Sequence, residues 1–307
     1  MENFTNRCYG IAVLRSENSN WNADFTGYPR RLPDDRGTIY ATDKAFKYAV
    51  RRYLVDTGKY VFVWRSFNKN GNPRSLEERD TYFVKNEELM RKWGIDTEQI
   101  TKREERKKYF SHFIDVKFFG ITFAKGSKDN KENFSITGPL QISYGVNRFN
   151  KNTPFVNEIL SPYSTKEDAK ATTLGNEVKN LLSYYVYDFV LNPMNLPEGM
   201  SITHNEVETM KEAMRKCATY INSTTKIGTE NVLLLFIQLK NESKLQLPTL
   251  KRLVDVDEDE TIHLERIRDL LKKYSSDHIE KVEYYVNNNM CKVTGAGESW
   301  EQHDILA

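Results

Sequence analysis

Apolar residues run almost unbroken through RCYGIAVLRS, residues 7 to 16, and predict a buried strand. From 38 to 54, TIYATDKAFKYAVRRYL, the spacing changes. Phe46, Ala49, Val50, Tyr53 and Leu54 fall at i, i+3, i+4, i+7 and i+8, the apolar stripe of an amphipathic helix. Thr42 or Asp43 is placed to cap its first-turn amides. Lys44, Lys47 and Arg51 share the opposite face. Between strand and helix, ENSNWNADFTGYPRRLPDDRGTIYA is too dense in Asn, Asp, Gly and Pro for either period and reads as a long polar loop. Loops of that length inside a compact domain are often functional.

KYVFVWRSF (59–67) predicts a second strand, and residues 75–112 are charged and strongly helical. IDVKFFGITFA (114–124) and FSITGPLQISYG (134–145) read as strands joined by a polar turn. FVNEILSPY and VKNLLSYYVYDFVL flank a tip of small residues, STKEDAKATTLGNE, and predict a long protruding hairpin. THNEVETMKEAMRKCATYI opens with a capping box, Thr203 to Glu206, and continues as helix. NVLLLFIQL (231–239) is a central strand, followed by a helix near 261–274, a strand near 279–286 and a loose tail from Gly295. Strand–helix–strand, a large insertion, then strand–helix–strand suggests an α+β, ferredoxin-like sheet with excursions. That scaffold is also the RNA-recognition motif. KFFGITF echoes its RNA-stacking strand but lacks the glycine directly after the lysine, so a core strand is the plain reading.

Composition adds bounds. No apolar run approaches the roughly 20 residues of a membrane span, and MENFTNRCYG lacks the order of a secretion signal, so a cytoplasmic protein is expected. Cys8, Cys217 and Cys291 are far apart and form no metal or disulfide pattern, which leaves them as small buried hydrophobes. The net charge of +2 hides an asymmetry: residues 1–125 hold 24 Lys+Arg against 17 Asp+Glu, and DVDEDE (255–260) is the acidic peak of the remainder. Such a chain suits a polyanion, or head-to-tail contact between copies. None of the five histidines sits in a catalytic or metal-binding motif, and nucleophile-elbow, phosphate-loop and dinucleotide motifs are absent. Asp24, Asp34 and Asp35, in the first loop among Arg30, Arg31 and Arg36, could hold Mg²⁺ for phosphodiester cleavage; the plain alternative is a solvated turn.

Five segments, in order over about residues 7–240, resemble the Cas-seven backbone subunit of type I CRISPR Cascade complexes, closest to the type I-B, Csh-two branch. TDKAFKYAVRRYL resembles its Thr-Asp-x-x-x-Lys-x-x-x-Arg helix. DVKFFG resembles Asp-Val-Arg-Leu-Phe-Gly, with Lys117 and Phe118 substituted. GPLQISYG resembles a Gly-Pro-Val-Gln block, ATTLGNE the Met-Gly thumb tip with Leu174 in place of methionine, and STTKIG a Ser-Lys-x-Gly stretch.

The resemblance implies a single domain, 1–307, shaped like a right hand. A modified RNA-recognition-motif palm (about 7–67, 114–145, 182–240 and 260–290) carries helical fingers (about 68–113) and a β-hairpin thumb (about 153–182). It implies copies stacked head to tail along a CRISPR RNA, beside Cas-five, Cas-six and Cas-eight type subunits, with the guide presented to target DNA. The family's helix contacts fall on Lys47 and Arg51, with Lys44 carried by the shared face. Arg30, Arg31, Arg36, Arg148 and Lys226 are further candidate RNA contacts. Leu174 is the candidate wedge between bases, steadied by Lys166 and Lys170. No cofactor, metal, membrane or catalytic role is implied. Type III relatives cut RNA through a loop aspartate, which makes Asp24, Asp34 and Asp35 the alternative, catalytic reading.

Overall fold

The computed structural model describes residues 2–126, 132–160 and 173–307. Its elements are β1 (Cys8–Ser19), β2 (Tyr40–Ala41), α1 (Asp43–Asp56), α2 (Leu76–Val84), α3 (Glu87–Trp93), α4 (Arg103–Phe110) and α5 (Ile114–Phe119). There follow β3 (Gly120–Lys125), β4 (Glu132–Thr137), β5 (Leu140–Ile142), β6 (Gly145–Asn147), β7 (Pro154–Leu160), β8 (Thr173–Leu191), α6 (His204–Tyr220) and β9 (Thr229–Leu239). The last are β10 (Asp255–Val256), β11 (Thr261–His263), α7 (Glu265–Lys272), α8 (Ser275–His278), β12 (Ile279–Val286), β13 (Lys292–Thr294) and β14 (Glu301–Asp304). The chain forms two compact units. One comprises Met1–Cys8, Val50–Gln141 and Val190–Ala213; the other comprises Tyr9–Ala49, Ile142–Phe189 and Met214–Ala307. Among the described residues, no helix is long and apolar enough to cross a membrane.

The helical unit is built around Phe62, whose ring meets those of Tyr109, Phe110, Phe113 and Phe123 edge-on at 5.1–6.4 Å. The expected strand over 59–67 does not form. Its backbone finds side chains in place of a ladder: the amides of Phe62 and Val63 donate to the Asp115 carboxylate (2.7 and 3.0 Å), and Arg79 donates to the carbonyls of Val61 and Phe62 (2.8 and 2.6 Å). Groups that a strand would pair are thus satisfied without one. The expected strand over 114–124 is also corrected. IDVKFF folds as the short helix α5, and only from Gly120 does the chain extend as β3 against β4. Gly120 makes the break at φ +77°, and a Cβ there would lie 2.3 Å from the Ile136 carbonyl oxygen. A Cβ on Gly138 would lie 2.3 Å from the Gly120 nitrogen, so DVKFFG and GPLQ meet backbone to backbone, and only glycine fits both positions.

The other unit carries the large sheet, which among the described residues runs in the order β14-β12-β9-β1-β8-β6-β2, with β7 also pairing β8. β1 and β9 are buried on both faces over residues 8–16 and 231–237, and every residue of VLLLF is buried. Phe46 of α1 stacks on Tyr187 of β8 at 4.8 Å, and Trp21 donates to the Tyr187 hydroxyl at 2.7 Å. β7 and β8 pair antiparallel from Pro154↔Asn180 to Leu160↔Thr173, the two arms of the expected hairpin. The capping box forms, with the Glu206 carboxylate accepting from the Thr203 amide at 2.9 Å. The three cysteines are buried thiols. The tail beyond Gly295 is not loose: β14 adds parallel to β12 as an edge strand, tied by Lys281 between Glu283 and Glu301 (3.1 and 2.9 Å). Its residues, EQHD, carry no hydrophobic alternation, because an edge strand needs only backbone partners.

Candidate nucleic-acid interface

The basic face of α1 is unevenly exposed. The Lys44 side chain is 82% exposed, whereas those of Lys47 and Arg51 are 14% exposed. Asp43, in the first turn, receives both lysines, Lys44 at 3.0 Å and Lys47 at 3.3 Å. These cations hold its carboxyl below the ordinary range against the opposing effect of burial. Arg51 donates through Nε to Asp115 at 2.8 Å, and its guanidinium lies 5.1 Å from the centroid of the Phe119 ring. Two of the sequence motifs therefore meet in space. DVKFFG supplies the carboxylate and the ring that fix Arg51, the first of the two arginines of TDKAFKYAVRRYL. Only Nε is engaged: the Arg51 Nη groups donate to no other described residue. A guanidinium oriented by Nε presents a planar pair of donors, the geometry that suits a phosphate. Lys117 of DVKFFG is largely covered and pairs with Glu206 at 2.6 Å.

The long first loop is ordered by its own hydrogen bonds. Tyr40 donates to the Arg30 carbonyl, Arg30 to Asn22, and Leu32 to Thr38, so segment 29–32 has a backbone partner on either side. Two hairpin-like tips result, 24–28 and 33–37. The Asp24 carboxylate accepts from the Thr26 hydroxyl (2.6 Å) and from the amides of Thr26 and Tyr28 (2.8 and 3.2 Å). The Asp34 carboxylate likewise accepts from the hydroxyl and amide of Thr38 (2.6 and 2.8 Å). These bonds, with the threonine hydroxyl foremost in each case, hold both carboxyls below the ordinary range. Among the described residues Asp24, Asp34 and Asp35 form no shared ligand cluster.

Arg31 and Arg36 line one wall of an open cavity of about 740 Å³, whose other lining includes Arg148, Asp255, Asp257 and His263. The cavity thus gathers three predicted residues from segments more than a hundred positions apart. Arg148 donates to the Lys251 carbonyl at 2.8 Å, and its buried Nε has no partner. Desolvation pulls its pKa down, opposed by Asp255. Much of the acidic DVDEDE run is already committed. Glu260 binds Arg15 at 2.6 Å and the Tyr184 hydroxyl at 2.7 Å, Asp257 holds His263 at 2.9 Å, and Glu258 pairs with Lys151 at 2.5 Å.

A family profile described as CRISPR-associated protein Cas7 matches residues 6–280. The chain belongs to that family. No curated protein matches it. Among solved structures it is similar to a chain of "CRISPR RNA-guided surveillance complex, pre-nicking", at TM-score 0.52 and 13% identity, covering 97% of this chain and 96% of that one. It is also similar to a chain of "CRISPR RNA-guided surveillance complex", at TM-score 0.51 and 13% identity, covering 97% and 94%. At that identity the likeness speaks to the fold: a large sheet with helices over the whole chain.

Of the remaining positions in this Cas7-family chain, Lys166, Lys170 and the side chain of Leu174 lie outside the described residues. Lys226 is turned inward. It donates to the carbonyls of Asn20 (2.8 Å) and Trp21, with the Trp21 ring 5.5 Å away, and burial lowers its pKa to about 8. Below about 8 the folded state carries this buried charge; between that value and the ordinary lysine value of 10.5 the unfolded chain holds the extra proton. Stability from this group therefore rises with pH across that window. In urea unfolding, the midpoint of the wild type is expected to gain on that of Lys226→Met between pH 7 and pH 9.5. A gap that stays constant would refute the inward, desolvated lysine.

Proposed function

We propose that this chain is a CRISPR RNA-binding backbone subunit of a type I Cascade complex, of the I-B, Csh-two branch. Copies coat the guide as a head-to-tail filament and leave its bases open to target DNA. The Cas7-family match across residues 6–280 carries the reading. The geometry supports it: Lys44 stands exposed, the Arg51 fork is oriented by Asp115, and Arg31, Arg36 and Arg148 share one cavity. Contacts of this kind grip phosphates and ignore base identity, as a guide of arbitrary sequence requires. In the hand-like reading, the sheet is the palm, residues 68–113 the fingers and the β7–β8 hairpin the thumb. Partners are then further copies and Cas-five, Cas-six and Cas-eight type subunits, in the cytoplasm.

The role is proposed as binding, not catalysis. Asp24 and Asp34 spend their carboxylates on their own turns, which favours the binder over an RNA-cutting subunit. Evenly spaced products from complementary RNA and Mg²⁺, abolished on changing one of these aspartates, would reverse that choice. Arg36 and Lys44 are exposed, so Lys44→Ala with Arg36→Ala should leave folding intact. The pair is expected to weaken RNA binding about equally for unrelated sequences. The log–log salt slope should fall by roughly 0.7 for each phosphate that is no longer neutralised. An unchanged slope would remove these residues from the interface, and one copy per long RNA at saturation would remove the filament.

A further inference from the structure

Phe25 is 98% exposed, more than any other large hydrophobic residue described. It sits at the tip of a braced turn, not on a slack loop. Asp24 accepts three hydrogen bonds across the turn, Gly27 completes it at φ +89°, and the backbone closes from Asp24 to Tyr28 at 2.7 Å. Asn20, itself buried, bonds the Gly27 carbonyl at 3.0 Å and the Val178 carbonyl of β8 at 3.1 Å, which ties the tip to the sheet. Tyr28, on the same turn, is 47% exposed.

A rigid turn that holds an aromatic ring in water is preorganised for a partner. The charges around it indicate which. The loop's acids Asp24 and Asp34 face their own threonines and amides. Arg30 lies near enough to Asp24 for its charge to help lower that carboxyl, and its buried Nε has no partner; Arg31 and Arg36, toward the second tip, have no described carboxylate within ion-pairing distance. Exposed aromatics beside unpaired arginines are the combination that holds single-stranded nucleic acid, rings on bases and guanidinium groups on phosphates.

We propose that Phe25 is a stacking platform for a base of single-stranded nucleic acid, with Tyr28 beside it and the loop arginines on the adjoining phosphates. The assignment rests on the RNA-binding reading above and adds a base contact to its phosphate contacts. Stacking accepts any base, so it keeps the tolerance of sequence that a guide requires.

The test compares wild type, Phe25→Ala and Phe25→Trp on a single-stranded RNA and on the same RNA with abasic positions. Phe25→Ala is expected to leave the melting temperature unchanged and to weaken RNA binding about tenfold, the scale of one missing stack. The salt slope should stay the same, because no charge is removed, and Phe25→Trp should bind like wild type. The gap between wild type and Phe25→Ala should close on a fully abasic strand. A loss seen with RNA alone assigns the base to the guide; a loss seen only after single-stranded DNA is added assigns it to the DNA.

Equal RNA and DNA binding by wild type and Phe25→Ala, with wild type still binding tightly, would overturn the platform and leave the RNA-binding reading standing. No binding by wild type would overturn that reading itself. A Phe25→Ala defect in association between copies without nucleic acid would place a neighbouring chain on the ring, and would also overturn the proposal.

Discussion

Asp115→Ala is expected to lower the unfolding free energy by about 3–5 kcal/mol, the usual range when one partner of a buried ion pair is removed. The carboxylate is fully buried and accepts three donors: the amides of Phe62 and Val63 and the Nε of Arg51. Alanine strands all three. Two backbone amides lose their acceptor inside the helical unit, each at a cost of roughly 1–3 kcal/mol. Arg51, 14% exposed, loses its counter-charge. Asp115→Asn should fall between, because an amide oxygen can still accept from the backbone but leaves the guanidinium unneutralised. Urea unfolding at neutral pH measures both; a loss under about 1 kcal/mol for alanine would mean that water replaces the carboxylate. On RNA, Asp115→Asn should also weaken binding, since Arg51 then keeps its charge but not its orientation.

The same carboxylate explains what could be read from the sequence. Helix α1 was legible because Phe46, Ala49, Val50 and Leu54 meet one condition, a stripe at helical spacing, and all four are wholly buried. The central strand β9 was legible because a run such as VLLLF can only be interior. Segment 59–67 satisfied the strand pattern equally well, yet its hydrogen bonds go to Asp115 and Arg79. No local pattern reports which distant side chain will stand in for a neighbouring strand. The double turn of the first loop was hidden likewise, although its Asp-x-Thr and Asp-x-x-x-Thr spacings are readable once the fold is known.

Among the candidate site residues, spacing found the basic face of α1 but not its coverage, since Asp43 and Asp115 sit against Lys47 and Arg51. Arg31, Arg36 and Arg148 reach one cavity only through the pairing of β2 with β6, a contact between segments far apart in the chain. Phe25 gives no signal in the sequence, because a lone aromatic in a polar loop has no period to betray it; its exposure is a property of the folded turn.

Asp80→Ala should cost about as much as Asp115→Ala, but a second substitution should rescue it. Asp80 is fully buried and bonds Arg106 at 2.8 Å and Lys125 at 2.9 Å. The Arg106 side chain is 3% exposed and lies 5.5–5.9 Å from the ring centroids of Tyr109, Phe110 and Phe123. Removing Asp80 alone leaves a guanidinium without its carboxylate in an apolar surround, and a loss of about 3–5 kcal/mol follows. Asp80→Leu with Arg106→Met removes both charges and their desolvation penalty. Lys125, 31% exposed, can turn its ammonium to solvent. The double variant is therefore expected within about 1–2 kcal/mol of wild type, with a coupling energy of several kcal/mol between the two sites in a double-mutant cycle. If instead the two losses add, the two side chains are uncoupled, and each stabilises the helical unit through its other contacts and not through the ion pair.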